Sequence, residues 1–293
     1  MRIMFIGTVE FSLRVLEHLL KMNVNIVGVC TLEKSKINAD HVDLCSVSKS
    51  HGIPCLYADD INSSITLDWI RDKTPDIVFC FGWSRLLKKE LLSLAPLGII
   101  GFHPASLPEN RGRHPLIWSL VLGLKEIGSS FFFMDSGADS GDVISQRKII
   151  INDNDDARTL YEKVTLTALE QIDEFVPQLT ERTIQRVKQD ERLANTWRKR
   201  GIADGNIDWR MSAHTIHNLV RGLTKPYIGA HFIIDGKEIK VWKTSVFTDV
   251  QENIEPGKVL PSIGQTPLIK CGKDAINLLK TDPFFNPIAG NYL

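Results

Sequence analysis

Short apolar runs alternate with longer amphipathic stretches through the first hundred residues, and this alternation allows few folds. Residues 76–81 are apolar at every position after Asp76, which is typical of a central parallel strand covered on both faces. Residues 3–6 and 98–102 are also strand-like, whereas residues 11–20 carry apolar side chains at helical spacing. The pattern predicts an α/β fold with a doubly wound, mostly parallel, Rossmann-like sheet.

The composition of the chain changes after about residue 184. Residues 185–203 mix basic and acidic side chains, as expected for a linker. Short strand-like segments follow, separated by turns such as Asp235-Gly236, a dipeptide that favours β-hairpins. We therefore predict a larger first domain over residues 1–184, a linker over residues 185–203, and a smaller β-barrel-like (OB-like) domain over residues 204–293.

Charge and composition exclude several classes of protein. The 293 residues include 35 basic and 35 acidic side chains, so a net positive field that would attract nucleic acid is absent. The apolar runs are too short to span a bilayer and the start of the chain lacks a signal peptide, so we expect a cytoplasmic protein without a membrane partner. The five cysteines form no C-x-x-C pair, which predicts reduced thiols and neither disulfides nor zinc ligands: Cys30, Cys45, Cys55, Cys80 and Cys271.

Motifs of common cofactor and metal sites are missing from the sequence. Gly7 is a single glycine after the first strand, whereas a dinucleotide-binding fingerprint needs three. Asp153-Asn154-Asp155 lacks the glycine and glutamate of a calcium loop, so we interpret it as the cap of a helix. His214 and His217 share a predicted helix but have no further ligands nearby in the sequence. We therefore predict no metal site.

Two stretches carry candidates for acid–base chemistry. His103 directly follows an apolar strand and begins a loop rich in proline and arginine, and ligands of open α/β sheets bind at the carboxyl ends of strands. Asp139 lies in an acidic turn, residues 134–142, between two predicted strands. A carboxylate that orients an imidazole suits general acid–base catalysis. A purely structural loop and turn is the alternative that the residues alone leave open.

The loop and the turn together resemble the folate-dependent formyltransferase family. The family pattern is roughly N-x-H-x-S-L-L-P-x-x-R-G, followed further along by an aspartate in a D-x-G-D/A turn. The matching residues are His103, Leu107-Pro108, Arg111-Gly112 and Asp139-Ser140-Gly141-Asp142. Residues 7–12 also resemble the first strand–helix turn of the methionyl-tRNA formyltransferases, and Ile207-Asp208-Trp209 and Val241-Trp242-Lys243 resemble their C-terminal domain. The resemblance therefore covers nearly the whole chain.

The resemblance implies a reaction and a set of roles. 10-Formyltetrahydrofolate would deliver its formyl group to a primary amine. His103 would act as base or as donor to the oxyanion, and Asp139 would hold His103 or an ordered water. By the same resemblance the folate would contact two segments, mainly through main-chain groups: Phe81, Gly82 and Trp83, and Met134, Asp135, Gly137 and Asp139.

One departure from the family pattern concerns the oxyanion. Gly101 stands where the family has an asparagine that donates to the developing negative charge. Loss of one such donor typically costs about 10²–10³ in rate. We expect a substitute donor, with Asn110, His114 or a water in the space left by Gly101 as candidates. A slow enzyme and a protein that binds folate without transferring formyl are the alternatives.

The acceptor amine is the finer question, and the sequence favours a nucleotide-linked amino sugar, a precursor of cell-surface polysaccharide. Residues 198–293 hold 13 basic and nine acidic side chains, a small excess for a tRNA-binding surface. Residues 31–41 are short and mixed in charge, where the tRNA enzymes have a longer basic insertion. By analogy, Arg111 and Arg113 would contact the nucleotide phosphate. Since sugar formyltransferases are often dimers, a homodimer is one expectation. The alternatives are a methionyl-tRNA formyltransferase, a formyltetrahydrofolate hydrolase and a non-catalytic folate-binding protein.

Overall fold

The computed structural model of the chain describes residues 1–35, 38–261 and 266–293. Its contacts divide these residues into two compact units. The first unit comprises Met1–Gly112, Gly128–Ile149 and Lys163–Trp197. The second unit comprises Arg113–Ile127, Ile150–Glu162 and Arg198–Leu293.

Strands and helices alternate through the first half, and strands dominate the end of the chain. The strands of the described residues are β1 (Arg2–Ile6), β2 (Asn25–Thr31), β3 (Cys55–Tyr57), β4 (Ile77–Cys80), β5 (Ile99–His103), β6 (Arg111–Gly112), β7 (Glu126–Phe133), β8 (Val143–Ile150), β9 (Thr196–Trp197), β10 (Ala230–Ile234), β11 (Lys237–Phe247), β12 (Val259–Leu260), β13 (Leu268–Lys270) and β14 (Ala275–Asp282). The α-helices are α1 (Glu10–Lys21), α2 (Cys45–Ser50), α3 (Ser64–Asp72), α4 (Lys89–Leu92), α5 (Pro115–Val121), α6 (Ala157–Glu181) and α7 (Ala213–Leu223). Two short 3₁₀ helices cover Glu191–Leu193 and Ile202–Gly205.

A seven-stranded sheet of the described residues confirms the predicted α/β fold. Its strand order is β3-β2-β1-β4-β5-β7-β8. The pairs β2–β3, β1–β2, β1–β4 and β4–β5 are parallel, and β7 runs antiparallel to β5. Every residue of β4 is buried, as its uninterrupted apolar run requires. The parallel strands β1, β4 and β5 therefore bring their carboxyl ends to one edge of the sheet.

One hydroxyl group links the segments that follow β1 and β4 to the start of α1. Ser12, in the first turn of α1, donates from Oγ to the carbonyl oxygen of Phe81 at 2.6 Å, just beyond β4. The same Oγ accepts from the N–H groups of Thr8 and Val9. A Cβ at Gly7 would lie 2.5 Å from Ser12 Cβ and 2.7 Å from Phe81 O, so only glycine allows this approach of β1, α1 and β4.

The second unit contains a smaller antiparallel sheet, which confirms the predicted C-terminal β domain. Its strand order among the described residues is β10-β11-β14-β13-β12. Asp235 and Gly236 join β10 to β11 with φ values of 49° and 73°, the left-handed geometry of a two-residue hairpin turn. Helix α7 buries Ile216, Leu219 and Val220 in the same hydrophobic core as this sheet. The predicted boundaries at residues 184 and 204 stay predictions.

The cysteines correct one expectation. Cys45 and Cys55 form a disulfide bond, so the expectation that all five thiols are reduced is wrong for this pair. Helix α2 begins at Cys45 and packs against β3, which begins at Cys55, and this contact brings together two cysteines ten residues apart. The three other cysteines are free and buried, and burial raises the pKa of the Cys80 thiol to about 12. No helix among the described residues is both long enough and apolar enough to cross a membrane.

Candidate active site

His103 ends β5 and is 5% exposed. Its Nε2 lies 2.8 Å from the carbonyl oxygen of Asn110. Because a carbonyl oxygen only accepts, Nε2 carries a proton in this geometry. Nδ1 is therefore the ring nitrogen that can exchange a proton, and it lies 3.6 Å from Oδ2 of Asp139. The imidazole thus has a fixed orientation and one reactive nitrogen beside a carboxylate.

Asp139 lies in the turn between β7 and β8, with a left-handed φ of 56°. Its Oδ2 accepts a hydrogen bond of 2.9 Å from the N–H of Gly112. Its own carbonyl oxygen accepts from Nε2 of Gln189 at 2.8 Å, and the same Nε2 donates to the carbonyl of Gly141 at 2.7 Å. Hydrogen bonds therefore hold both the side chain and the main chain of Asp139. The structure brings the predicted pair of His103 and Asp139 together.

Asn110 is held in place by Asn195. The N–H of Asn110 donates to Oδ1 of Asn195 at 2.7 Å, and Nδ2 of Asn195 donates to Oδ1 of Asn110 at 3.1 Å. Asn110 also has a left-handed φ, 63°. Its main-chain carbonyl, not its side chain, contacts His103. A role for the Asn110 amide group in oxyanion stabilisation stays a prediction.

Arg111 has its guanidinium group occupied by side chains of this unit. Its Nε and Nη2 donate to Oε1 of Gln189, and its Nη1 and Nη2 donate to the two carboxylate oxygens of Glu191 at 2.9 and 2.7 Å. Hydrogen bonding to Glu191 raises the pKa of Arg111, and the same bonds lower the pKa of Glu191. The side chain is only 7% exposed. Acceptors within the protein engage all three guanidinium nitrogens of Arg111. We therefore assign Arg111 a structural role in place of the predicted contact with a nucleotide phosphate.

Arg113 and His114 belong to the second unit. His114 precedes α5 with a left-handed φ of 58°, and its Nδ1 lies 3.4 Å from the N–H of Arg200. Burial lowers the pKa of His114, and the positive charges of Arg113, Lys199 and Arg200 lower it further. This imidazole is therefore neutral at neutral pH and accepts from the main chain. Its role as an oxyanion donor and that of Arg113 at a phosphate stay predictions.

Gly101 has no empty space beside it. A Cβ there would lie 2.9 Å from Cγ of Met134 and 3.0 and 3.1 Å from two ring carbons of Phe132. These contacts arise because Gly101 pairs with Phe132 across β5 and β7. Neighbouring side chains therefore leave no room for a water at this Cβ position, and a water as the substitute oxyanion donor stays a prediction.

The two predicted folate segments pack against one hydrophobic cluster. Trp83 and Met134 both contact the buried core that includes Cys80 and Ile99. The indole Nε1 of Trp83 is buried and has no hydrogen-bond partner among the described residues. It is therefore a buried donor whose hydrogen bond is unsatisfied within the described residues.

The main chain of these segments is already partly used within the protein. The N–H of Phe81 donates to Ile6, and its carbonyl accepts from Ser12. The N–H of Met134 donates to Ile99. The N–H of Gly137 also donates to Oδ1 of Asp135, and the carbonyl of Asp139 accepts from Gln189. The main-chain contacts of both segments with a folate stay predictions.

The residues considered as metal ligands in the sequence make other contacts. Nδ1 of His217 lies 2.9 Å from Oγ1 of Thr244, and the carboxylate of Asp153 pairs with Lys125. In residues 1–35, 38–261 and 266–293 no group of three or more histidine, cysteine or acidic side chains could hold a metal ion.

The sequence analysis missed three residues, late in the first unit, that bind the loop following His103. Gln189, Glu191 and Asn195 lie within the predicted linker, 78 to 85 residues from the side chains that they contact. Their segment has no periodic pattern, and β9 pairs with β6 over only two residues. No local signal therefore marks these residues.

Comparisons with known proteins match both parts of the chain. The family model described as "Formyl transferase" matches residues 1–174, and that of "Formyl transferase, C-terminal domain" matches residues 202–283. A methionyl-tRNA formyltransferase of Caldanaerobacter subterraneus subsp. tengcongensis is 32% identical over 285 residues, 96% of this chain and 91% of that protein.

Solved structures share the fold at lower identity. An N-formyltransferase from Helicobacter canadensis, in complex with folinic acid and dTDP-3-aminofucose, is 18% identical with a TM-score of 0.69, over 94% of this chain and 98% of that chain. HypX from Aquifex aeolicus is 18% identical with a TM-score of 0.70, over 96% of this chain but only 44% of that longer chain.

Proposed function

Because the chain belongs to the formyl transferase family, we propose that it transfers a formyl group from 10-formyltetrahydrofolate to the primary amine of a nucleotide-linked amino sugar. The observation that carries the proposal is the buried imidazole of His103, whose Nδ1 lies 3.6 Å from the Asp139 carboxylate. The pair lies at the carboxyl end of β5, where open α/β sheets bind their ligands.

The proposed reaction is acyl transfer. The amine nitrogen attacks the formyl carbon, and the carbonyl oxygen becomes an oxyanion in a tetrahedral intermediate. Nδ1 of His103 takes the proton released by the amine, and the Asp139 carboxylate stabilises the resulting imidazolium. When the carbon–N10 bond breaks, N10 takes a proton and tetrahydrofolate leaves. The carbonyl of Asn110 keeps Nε2 protonated throughout, so one nitrogen both accepts and returns the proton.

The proposed donor site lies at the cluster that carries Trp83 and Met134. The buried indole N–H of Trp83 supports it, because an unpaired buried donor is costly unless a ligand satisfies it. The Helicobacter canadensis protein was crystallised with folinic acid, a formylated folate, in the same fold.

We propose a small-molecule acceptor, in part because three arginines that could attract nucleic acid are already paired with carboxylates. Arg192 binds Asp190, Arg198 binds Asp204, and Arg210 binds Asp208. Phosphate neutralisation dominates binding to nucleic acid, and such pairs reduce the charge available for it. The Helicobacter canadensis protein was crystallised with an amino-sugar nucleotide, which supports the same acceptor class.

Methionyl-tRNA is the second candidate acceptor. It is favoured by the relative from Caldanaerobacter subterraneus subsp. tengcongensis, a methionyl-tRNA formyltransferase that is 32% identical over 96% of this chain. Residues 31–41 argue for the sugar nucleotide, because they are short and mixed in charge where the tRNA enzymes have a longer basic insertion. Lys36 and Ile37 of this segment lie outside the described residues. The two acceptors differ in size and charge, so they can be separated directly.

An acceptor panel tests the proposal. The protein and 10-formyltetrahydrofolate are mixed with dTDP-, UDP-, GDP- and CMP-linked amino sugars, with methionyl-tRNA, or with no acceptor, and acceptor mass and tetrahydrofolate release are followed. We expect a gain of one formyl group on an amino sugar. Formylation of methionyl-tRNA alone would establish the second candidate. Formate release without an acceptor would indicate a hydrolase, and folate binding without turnover a binding protein.

Two matched pairs of variants test the site. We expect His103→Asn and Asp139→Asn each to reduce turnover by about 10²–10⁴ while the protein remains folded. His18 and Asp173 form another histidine–aspartate pair of the first unit, with Nε2 2.7 Å from Oδ1, on α1 and α6. His18→Asn and Asp173→Asn are the controls and should keep wild-type turnover. Full activity of either site variant would contradict the assignment.

A further inference from the structure

Gln189 connects the two loops that present the candidate catalytic pair. Its side chain is buried, 7% exposed, in a segment that the sequence marks only as a charged linker. Its Nε2 donates to the carbonyls of Asp139 and Gly141 on one side. Its Oε1 accepts from Nε and Nη2 of Arg111 on the other side. One amide group thereby joins the loop after β5 to the turn between β7 and β8.

Left-handed backbone occurs in both loops near this connection. Asp139 and Asn110 have φ values of 56° and 63°, a region that Asp and Asn enter more readily than other L residues but that is still less favourable than ordinary backbone. The Gln189 bonds fix the carbonyl of Asp139 itself and that of Gly141 two residues later. Asn195, six residues after Gln189, holds Asn110 in the same way.

The same segment therefore positions both partners of the pair. The Asn110 carbonyl fixes the imidazole of His103, and the N–H of Gly112 fixes the carboxylate of Asp139. Gly112 follows Arg111, whose guanidinium is bound by Gln189 and Glu191. A shift of the Gln189 side chain would displace the Asp139 carboxylate in two ways. It would move the main-chain carbonyl of Asp139, and, through Arg111, it would move the neighbouring N–H of Gly112.

We propose that Gln189 is a positioning residue that holds Asp139 opposite His103 by bonding the Asp139 turn and Arg111 at once. It acts through these residues and touches neither substrate. The inference rests on the proposed function in that the pair must perform the proton transfer. Misplacement of a catalytic group by about 1 Å costs about 10²-fold in rate, so a fixed amide at this position matters for turnover.

The substitution Gln189→Glu separates the two halves of the connection. A glutamate keeps the oxygen that accepts from Arg111, but it places a second oxygen where Nε2 donates to the two carbonyls. Those contacts become repulsive, so the Asp139 turn is released while Arg111 stays bound. Gln189→Ala releases both loops and serves as the second variant.

Gln171 provides a matched control. It is buried in the same unit, accepts from Oγ of Ser129, and donates to the carbonyl of Ser129 and to Oγ of Ser145. Gln171→Glu therefore removes the same kind of donor from a buried amide. It changes none of the residues that the pair contacts.

Two readouts are measured on each folded variant. The first is kcat, with KM for the formyl donor and for the amine. The second is the hydrogen-exchange rate of the Gly112 amide, which donates to Asp139 Oδ2. For Gln189→Glu we expect kcat to fall about 10²-fold with KM unchanged within about threefold, and Gly112 to exchange at least about tenfold faster. Gln171→Glu should change neither.

Wild-type kcat and wild-type Gly112 exchange in Gln189→Glu would overturn the proposal. Equal loss of kcat in Gln171→Glu would also overturn it, because a general packing defect would then explain the effect. If the wild-type protein transfers no formyl group, the proposed function fails, and the exchange of Gly112 still decides whether Gln189 holds the turn.

Discussion

The substitution Gly101→Asn tests whether this chain lost the oxyanion donor of its family for a steric reason. The resemblance places an asparagine at this position, and the structure shows what an added side chain would meet. Its Cβ alone would lie 2.9 Å from Cγ of Met134 and 3.0 and 3.1 Å from ring carbons of Phe132. Carbon atoms attract best at about 3.5–4.0 Å, so each of these contacts is repulsive.

The size of the effect follows from two opposing contributions. Overpacking a filled site costs about 1–3 kcal/mol, and the three further heavy atoms of asparagine add to the demand for space. Replacing a glycine inside a strand raises the free energy of unfolding by about 0.5–1 kcal/mol, because other residues lose less backbone freedom on folding. We therefore expect Gly101→Asn to lower the free energy of unfolding by about 1–2 kcal/mol. We expect no gain in turnover, because the amide cannot reach a productive position.

Urea unfolding and formyl transfer measure the two quantities on the same samples. Gly101→Ala is the matched control, since it adds the Cβ without the amide. Met134→Ala removes the nearest side chain, so Gly101→Asn should cost less stability in a Met134→Ala background than in the wild-type protein. Wild-type stability together with higher turnover in Gly101→Asn would refute the steric argument. Met134 and Phe132 would then move aside without lowering the free energy of unfolding.

Two further predictions concern stability. Serine at both Cys45 and Cys55 should lower the free energy of unfolding by about 3 kcal/mol, because the disulfide closes a loop between residues ten positions apart. Reductant should destabilise the wild-type protein equally and leave the double variant unchanged, and a wild-type protein insensitive to reductant would contradict this. Asp204 accepts from Arg198 and from the N–H of Gly201, and these bonds lower its pKa. A lowered pKa stabilises the fold above pH about 4 and less as the pH falls, so Asp204→Asn should cost about 1 kcal/mol at pH 7 and progressively less below pH 4. A difference that does not change with pH would exclude this ion pair as the cause.

The elements that sequence predicts best are those with a long, uniform pattern. The apolar run of residues 76–81 contains β4 (Ile77–Cys80), and residues 11–20 lie within α1 (Glu10–Lys21). The strands β6 and β9 were not predicted, because two residues carry no periodicity and their partner lies 85 residues away. A local pattern reports burial on one or both faces, and it says nothing of such a distant partner.

The disulfide shows the same limit. The spacing of the cysteines matches no common motif, so composition favoured free thiols. The bond depends instead on the contact of α2 with β3, which places Cys45 next to Cys55.

The amino-acid pattern alone predicts the sheet, the hairpin at Asp235-Gly236 and the position of His103 at the end of a strand. It does so because strand and turn preferences act between neighbouring residues. The folded structure was needed to show that Gln189 and Glu191 bind Arg111, and that Met134 and Phe132 crowd the position of a Cβ at Gly101. Those outcomes depend on side chains that meet only when the fold closes, since hydrogen bonds and packing act over a few ångströms whatever the separation along the chain.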